Sequence, residues 1–472
     1  LSGLLNSGRP DTNAAAGSCN TPASVCLRSY ASPCTTLAAG CGRLSNPFSS
    51  LAAFQALNNN TGSNPGNNDN IFIFESATGY SGGVTLLANQ RITGQDATAT
   101  LSAITGLTPG TGSTAFPAMN TGGSATTLTT GGINVGGGGG NTVRGMTINN
   151  TATAKINGTN FGTLTVGNNV SPDVILSGTG KAIDVNNGTF AASSAFVSVA
   201  TTSSTSHGMQ LISVGGTVAF GSTSVSGSAS QGIFVSASSV NLNFGNTTVG
   251  ATTAGEGVRL ESNTGGTRTF GTLSIVNSAV QGFTDSGGGN TSVTGLATIT
   301  NPANVGILVS GKTAGTSVTF ANVSNTGSGS HGVHLNNNAG TVTFADLDIA
   351  ADANQRGILA TNNTGTITTT SGTIADTGTA TAVEITNASG TVPLNMQLTS
   401  VSANGGANGI ILSNTSSSGV PGGFSVLGSG GTCTNANTSG CSGGTIQNTT
   451  GADNSTVTPL GTGIVLNNVT NV

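Results

Sequence analysis

The chain has 472 residues and a net charge of −4, with 6% charged residues and 75 glycines, about twice the usual glycine share. Its 11 Lys+Arg supply no basic face for nucleic acid or an anionic membrane, and no apolar run approaches the roughly 18–20 residues that span a bilayer. Gly, Ser, Thr and Asn alone cannot offset the entropy of ordering, yet 35% of the chain is hydrophobic and recurs with a period, which predicts a folded all-β protein.

Residues 1–45 read as a separate cysteine-containing segment, with Cys19, Cys26, Cys34 and Cys41 spaced by seven, eight and seven. Cys433 and Cys441 flank the polar loop "TNANTSG", which a disulfide could close. None of the six forms a CxxC, so zinc and thioredoxin-like chemistry are disfavoured. An even cysteine count in a lysine-poor chain predicts disulfides and an oxidising, extracellular setting. The opening "LSGLLNSGRP" lacks the charged and long apolar regions of a signal peptide and reads as a processed end. The closing "GTGIVLNNVTNV" stops inside a repeat, as a segment of a longer polypeptide would.

Over 46–130, Phe48, Leu51, Phe54 and Leu57 recur at three-residue spacing behind Pro47, predicting a short amphipathic helix that covers the hydrophobic end of the solenoid. Strands follow near 71–75, 84–87 and 91–93. "GGGGG" at 136–140 is not followed by Lys-Ser/Thr, so it predicts a turn rather than a phosphate loop.

From 131 to 472 one unit repeats. A glycine before an apolar-x-apolar triplet falls at Gly208, Gly232, Gly257, Gly282, Gly306, Gly332 and Gly357, at steps of 24, 25, 25, 24, 26 and 25. Ala382 and Gly409 continue the series, and Gly463 follows after twice 27. A period this constant is the mark of a solenoid, whose units bury their apolar faces only against their neighbours. Each unit holds three short alternating runs, such as "GVHL", "GTVTF" and "DLDIA", between polar turns. Alternation turns every second residue inward. One inward column reads Ile183, Met209, Ile233, Val258, Phe283, Ile307, Val333, Ile358, Val383, Ile410 and Ile464; a second carries Phe220, Phe244, Phe270, Phe320 and Phe344. The leucine-rich LxxLxLxxN frame and the GGxGxD nonapeptide are absent. The prediction is a parallel β-helix with three strands per coil of about 25 residues, some fifteen coils making a rod on the order of 70 Å.

The run "PFSSLAAFQAL", the strand "DNIFIFE" and "GYSGGVTLLANQRITGQ" resemble the start of bacterial pectin-lyase-like, right-handed β-helix proteins. "GGTIQNTTGADNSTVTPLGTGIVLNN" near the cysteine pair is similar to secreted bacterial β-strand repeat surface proteins. The resemblance runs from about residue 46 onward and implies a secreted or cell-surface β-helix. Polysaccharide lyases and hydrolases, tailspikes, adhesins and structural surface proteins all use this superfold, so fold alone does not choose among them.

Lyases of that superfold gather aspartates around calcium beside a basic residue. Here the outward position of the first strand runs Asp184, Gln210, Phe234, Arg259, Thr284, Leu308, His334, Leu359, Glu384, Ile411, a dispersed set. Arg259 and Glu384 fall five coils apart, about 24 Å, too far for one acid–base pair. The tightest carboxylates are Asp346 and Asp348, which flank Leu347 and should face outward about 7 Å apart, the separation of an inverting glycosidase. A solvated strand face gives the same pattern, and the aligned residues one coil earlier, Asn322 and Ser324, add no carboxylate. His207 and His331 share a turn position with Gln231, Glu256 and Gln281, which favours hydrogen bonding over metal ligation. No metal or other cofactor is expected. The chain has no Trp and two Tyr, whereas ligand grooves usually offer flat amphipathic rings. The expectation is therefore a non-enzymatic extracellular scaffold or adhesin, with polysaccharide cleavage and passive glycan binding as alternatives. Expected partners are further copies end to end or more of a longer chain, and glycan or cell-surface contacts.

Overall fold

The computed structural model describes residues 3–5, 24–27, 47–62, 64–109, 115–351, 355–376, 378–431, 434, 441–451 and 460–472. These fold as an all-β parallel β-solenoid of many coils, 3% helical. The chain forms two compact units, residues 1–224 with 238–243 and residues 225–237 with 244–472. Within the second unit, Ile233, Val258, Phe283, Ile307, Val333, Ile358, Val383 and Ile410 pair in unbroken parallel register. Within the first, Ile133, Ile156 and Ile183 do the same.

One coil shows how sequence makes the shape. The strand His331–Asn336 buries Val333 and Leu335, and the strand Thr341–Ala351 buries Val342, Phe344, Leu347 and Ile349. The second and third sequence runs are thus one continuous strand. Its alternation slips at Ala345 and Asp346, two successive residues that do not turn inward. Two outward residues in a row rotate the chain by half a period, which turns the strand onto the next face without a loop. After the first strand the chain instead reverses through a left-handed residue: Ser262, Gly287, Gly311, Asn337 and Asn362 in successive coils, at φ 50–88°. Glycine tolerates that region freely, and asparagine better than other side-chain residues. This explains the Asn and Gly that punctuate the repeat.

The core is narrow and stacked. Phe244 lies on Phe270 with ring centroids 4.7 Å apart and planes 5° apart, and Phe320 on Phe344 at 5.5 Å and 13°. Offset rings of this kind contribute about 0.5–1.5 kcal/mol beyond their burial. Every residue of the predicted first column is buried except Ile464, which is 50% exposed, as is Leu466 at 51%. Their strand, Thr462–Val469, pairs with Asn408–Ser417 on one edge, and no further coil covers those side chains among the described residues.

The helix expected behind Pro47 spans Leu51–Leu57. Ser50 Oγ accepts from the Ala53 N–H at 3.1 Å, and Leu51, Phe54 and the preceding Phe48 are buried. Gln55 Oε1 accepts from the Thr85 N–H at 2.7 Å, fixing the helix to the strand Val84–Leu87. A second short helix, Leu101–Thr105, escaped the sequence reading. Within residues 1–45, Gly3–Leu5 pairs antiparallel, and Ser24–Leu27 parallel, with Asn70–Ile73. The glycine run turns as expected, with Gly138, Gly139 and Gly140 at φ 106°, 93° and 74°. A Cβ on Gly139 would stand 2.9 Å from the Cα of Gly162, so the next turn packs directly on backbone there.

Candidate functional site

The two aspartates singled out from sequence do face outward on either side of buried Leu347. Their register is also as expected, Asn322 and Ser324 aligning with Asp346 and Asp348. The following coil brings Ser371 and Thr373 to the same positions. Ser371 Oγ donates to Asp346 Oδ1 at 2.6 Å, and Asp348 Oδ1 accepts from Thr373 Oγ1 at 2.6 Å and from the Thr373 N–H at 3.0 Å. Each carboxylate is therefore tied to the next coil, as an outward residue of a knitted surface is. Asp352 lies outside the described residues.

The charged side chains of the first-strand face pair locally. Lys181 Nζ reaches Asp184 Oδ2 at 2.7 Å, and Arg259 is held between Glu256 at 2.9 Å and Glu261 at 2.5 Å. Arg356 Nε meets Glu384 Oε2 at 2.6 Å. His331 and Arg356 align across adjacent coils, and the His331 and His334 rings stand edge to face with centroids 5.5 Å apart. Among the described residues no three His, Cys, Asp or Glu converge as a metal site.

This group is electrically uneven. Burial, then the Arg356 charge and then His334, push His331 down from its ordinary 6.5 to about 4. Its Nδ1 is buried without a hydrogen-bond partner. Burial pushes Asp376 up from 3.8 to about 6, against the opposing Gly378 N–H bond and the Arg356 charge, and its Oδ2 has no hydrogen-bond partner. The two act with opposite sign. Folded Asp376 keeps a proton that the unfolded chain has released between pH 3.8 and about 6, so its contribution is present at low pH and lost as pH rises through 6. His331 is depressed, so its contribution is present above 6.5 and lost as pH falls toward 4. Asp376→Asn is expected to raise stability at pH 8 by about 1 kcal/mol, a value discounted for solvent screening, and to leave it unchanged at pH 3. Urea unfolding of both proteins at the two pH values checks this; an equal offset at both would assign the change to packing.

The strongest electrostatic feature is inside the coil. Asp285 occupies a core column otherwise filled by Leu260, Val309 and Leu335, and is 0% exposed. Lys312 Nζ contacts Asp285 Oδ1 at 2.9 Å and Gly289 O at 2.9 Å, with neither side chain exposed. Arg268, equally buried, donates to Gly265 O at 2.5 Å and Gly288 O at 3.0 Å. Burial pulls both cations below their ordinary pKa, Asp285 opposing it. Sequence reasoning treated "GFTD" as one more repeat; the signal lay in a carboxylate where neighbouring copies carry an aliphatic residue. In the first unit Lys155 is buried likewise, donating to Thr179 O at 3.0 Å and Thr201 Oγ1 at 3.0 Å, and burial pushes its pKa down to about 8.

Cys441 is disulfide-bonded. The side chains of Cys19, Cys26, Cys34, Cys41 and Cys433 lie outside the described residues. No helix among the described residues is long and apolar enough to cross a membrane. Comparison of the chain with protein-family models, with curated proteins and with solved structures found no match.

Proposed function

We propose that this chain is a non-enzymatic, extracellular structural or adhesive β-helix, a component of a surface layer, fibre or adhesin stalk on a bacterial cell. The observation that carries this reading is the bonding of outward side chains from coil to coil. Ser371 and Thr373 hold Asp346 and Asp348, Thr361 holds Asn336 at 3.1 Å, Thr272 holds Asn246 at 3.1 Å, and Asn468 holds Asn414 at 2.8 Å. Such rows add side-chain cross-links to the backbone ladder, and a near-neutral polar exterior gives proteases and solutes little to grip. The disulfide at Cys441 supports an oxidising compartment, with Cys433 as its proposed partner. The resemblance to secreted pectin-lyase-like and β-strand repeat proteins supports a right-handed coil and a capping role for the helix Leu51–Leu57. End-to-end contact would use the strand Thr462–Val469, whose Ile464 and Leu466 are half exposed.

Electron microscopy of the native material tests the assembly: rods joined end to end or projecting from cells are expected, and dispersed monomers at high concentration would remove the fibre reading. Incubation with acidic and neutral polysaccharides tests the non-enzymatic part. Product release that disappears in Asp346→Ala or Asp348→Ala would replace this proposal with a lyase or hydrolase.

A further inference from the structure

A buried cation ordinarily has a carboxylate beside it. Lys312 has Asp285 at 2.9 Å, and Arg144 has Asp173 at 2.6 Å. Lys155 in the first unit is wholly buried, yet among the described residues no Asp or Glu oxygen bonds to its ammonium. Four neutral oxygens surround it instead: Gly178 O at 3.3 Å, Thr179 O at 3.0 Å, Gly180 O at 3.3 Å and Thr201 Oγ1 at 3.0 Å.

Three successive carbonyls aimed at one point are not strand geometry, in which the peptide units alternate in direction. Two left-handed glycines make the difference, Gly178 at φ 79° and Gly180 at φ 88°. A Cβ on Gly180 would run into Thr151 O, and one on Gly178 into Asn150 Oδ1, so both positions are closed to larger residues. A trans peptide points its N–H away from its C=O. The three N–H groups accordingly leave the nest: Thr179 N–H donates to Asn150 Oδ1 at 2.9 Å, Gly180 N–H to Thr202 O at 3.0 Å and Lys181 N–H to Thr153 O at 3.1 Å. Neighbouring coils thus pin the outer side of the turn, while its carbonyls crowd together on the inner side.

An ammonium has three N–H donors, one fewer than the oxygens around it, and all four oxygens stand between 3.0 and 3.3 Å away. Such even spacing about one centre is a coordination shell, in which carbonyl oxygens replace a cation's water without adding charge. Calcium and magnesium contact oxygen at about 2.0–2.6 Å and draw on carboxylates, so this wider, neutral shell fits a monovalent ion. We propose that the turn 178–180 is a site for a large monovalent cation, of the ammonium or potassium class, which Lys155 fills with its own side chain. Lys155 is thereby a positioning residue. Its charge holds together three carbonyl dipoles that would otherwise repel one another, and so fixes the corner from which the strand Lys181–Thr202 leaves. The nest lies within the first unit and is independent of any assembly.

Lys155→Ala empties the shell and leaves its four oxygens in place. Hydrogen exchange of the full chain at pH 7 reads the corner at the Gly180, Lys181 and Thr202 N–H groups. In choline chloride, whose cation is too bulky to enter, protection there is expected to fall about tenfold or more. Potassium or ammonium chloride at the same ionic strength should restore it, and the parent should be indifferent to the change of salt. Lys155→Met, which fills the space with an uncharged side chain, should lose protection and regain none. Parental protection of Lys155→Ala in choline chloride overturns the proposal, as does repair of Lys155→Met. So does a loss in Lys155→Ala that neither cation repairs, including a chain that folds in none of the salts. The parent supplies a second measurement. Nitrogen-detected NMR at pH 7 should show the Lys155 ammonium protonated and in slow exchange, since burial pushes its pKa down only to about 8; a neutral amine there likewise overturns the assignment.

Discussion

Lys312→Met is expected to destabilise the second unit by about 3–5 kcal/mol, the usual cost of breaking a buried ion pair from one side. The lysine's Nζ lies 2.9 Å from Asp285 Oδ1 and both side chains are wholly buried, so its removal leaves a carboxylate sealed among aliphatic neighbours. Arg268 offers only partial relief, because its Nη1 and Nη2 already serve Gly265 O and Gly288 O. The ion cluster itself need not stabilise the fold. Desolvating three charges costs several kcal/mol each, and buried clusters are often replaceable by apolar side chains without loss. The triple variant Arg268→Met/Asp285→Leu/Lys312→Met should therefore recover most of what Lys312→Met loses, since leucine restores the column of Leu260, Val309 and Leu335. Denaturant unfolding of the three proteins decides the point. A loss below about 1 kcal/mol in Lys312→Met would mean that water reaches Asp285 and that the cluster is not dry.

Why the coil was legible and this cluster was not follows from what each rests on. Ile233, Val258, Phe283 and Ile307 are all apolar because a stacked core tolerates nothing else at that position, so the period survives in a single sequence. Asp285 breaks the rule, and its neutralising partner Lys312 lies 27 residues away in a turn. Nothing local marks a turn lysine as inward. For Asp346 and Asp348 the earlier coil was read correctly and their outward aim followed from alternation. The hydroxyls that occupy them, Ser371 and Thr373, belong to "TITTTSGT", where the slip in alternation hides which residue aligns with which. The slip at Ala345 and Asp346 was unreadable for the same reason. Period gives phase within a strand, but a corner without a loop resets it. The helix Leu51–Leu57 was visible because its amphipathic spacing follows directly on Pro47, whereas Leu101–Thr105 is too short for a period to register.

Adjacent asparagines make the last contrast testable, because Asn362 and Asn363 look interchangeable in sequence and do opposite jobs. Asn362 is exposed, takes the left-handed turn at φ 53° and accepts from the Ala388 N–H through Oδ1 at 3.0 Å. Asn363 points inward and is 1% exposed. Its Nδ2 donates to Leu335 O at 3.0 Å, and its Oδ1 accepts from both the N–H and the Nδ2 of Asn338 in the preceding coil, at 3.1 and 2.9 Å. Asn338 in turn donates to Val309 O and accepts from the Lys312 N–H, which joins this asparagine ladder to the buried ion cluster. Asn363→Ala strands an inward carbonyl and an inward N–H at once, and each orphaned group costs about 1–3 kcal/mol, for an expected loss of about 2–4 kcal/mol. Asn362→Gly gives up one exposed bond but gains the residue best suited to positive φ, so its change should stay within about 0.5 kcal/mol. Amide hydrogen exchange adds a spatial readout: protection should fall at Asn338 and its neighbours in Asn363→Ala and stay at parental values in Asn362→Gly. Equal losses in the two variants would show that the turn conformation, rather than the inward ladder, holds successive coils in register.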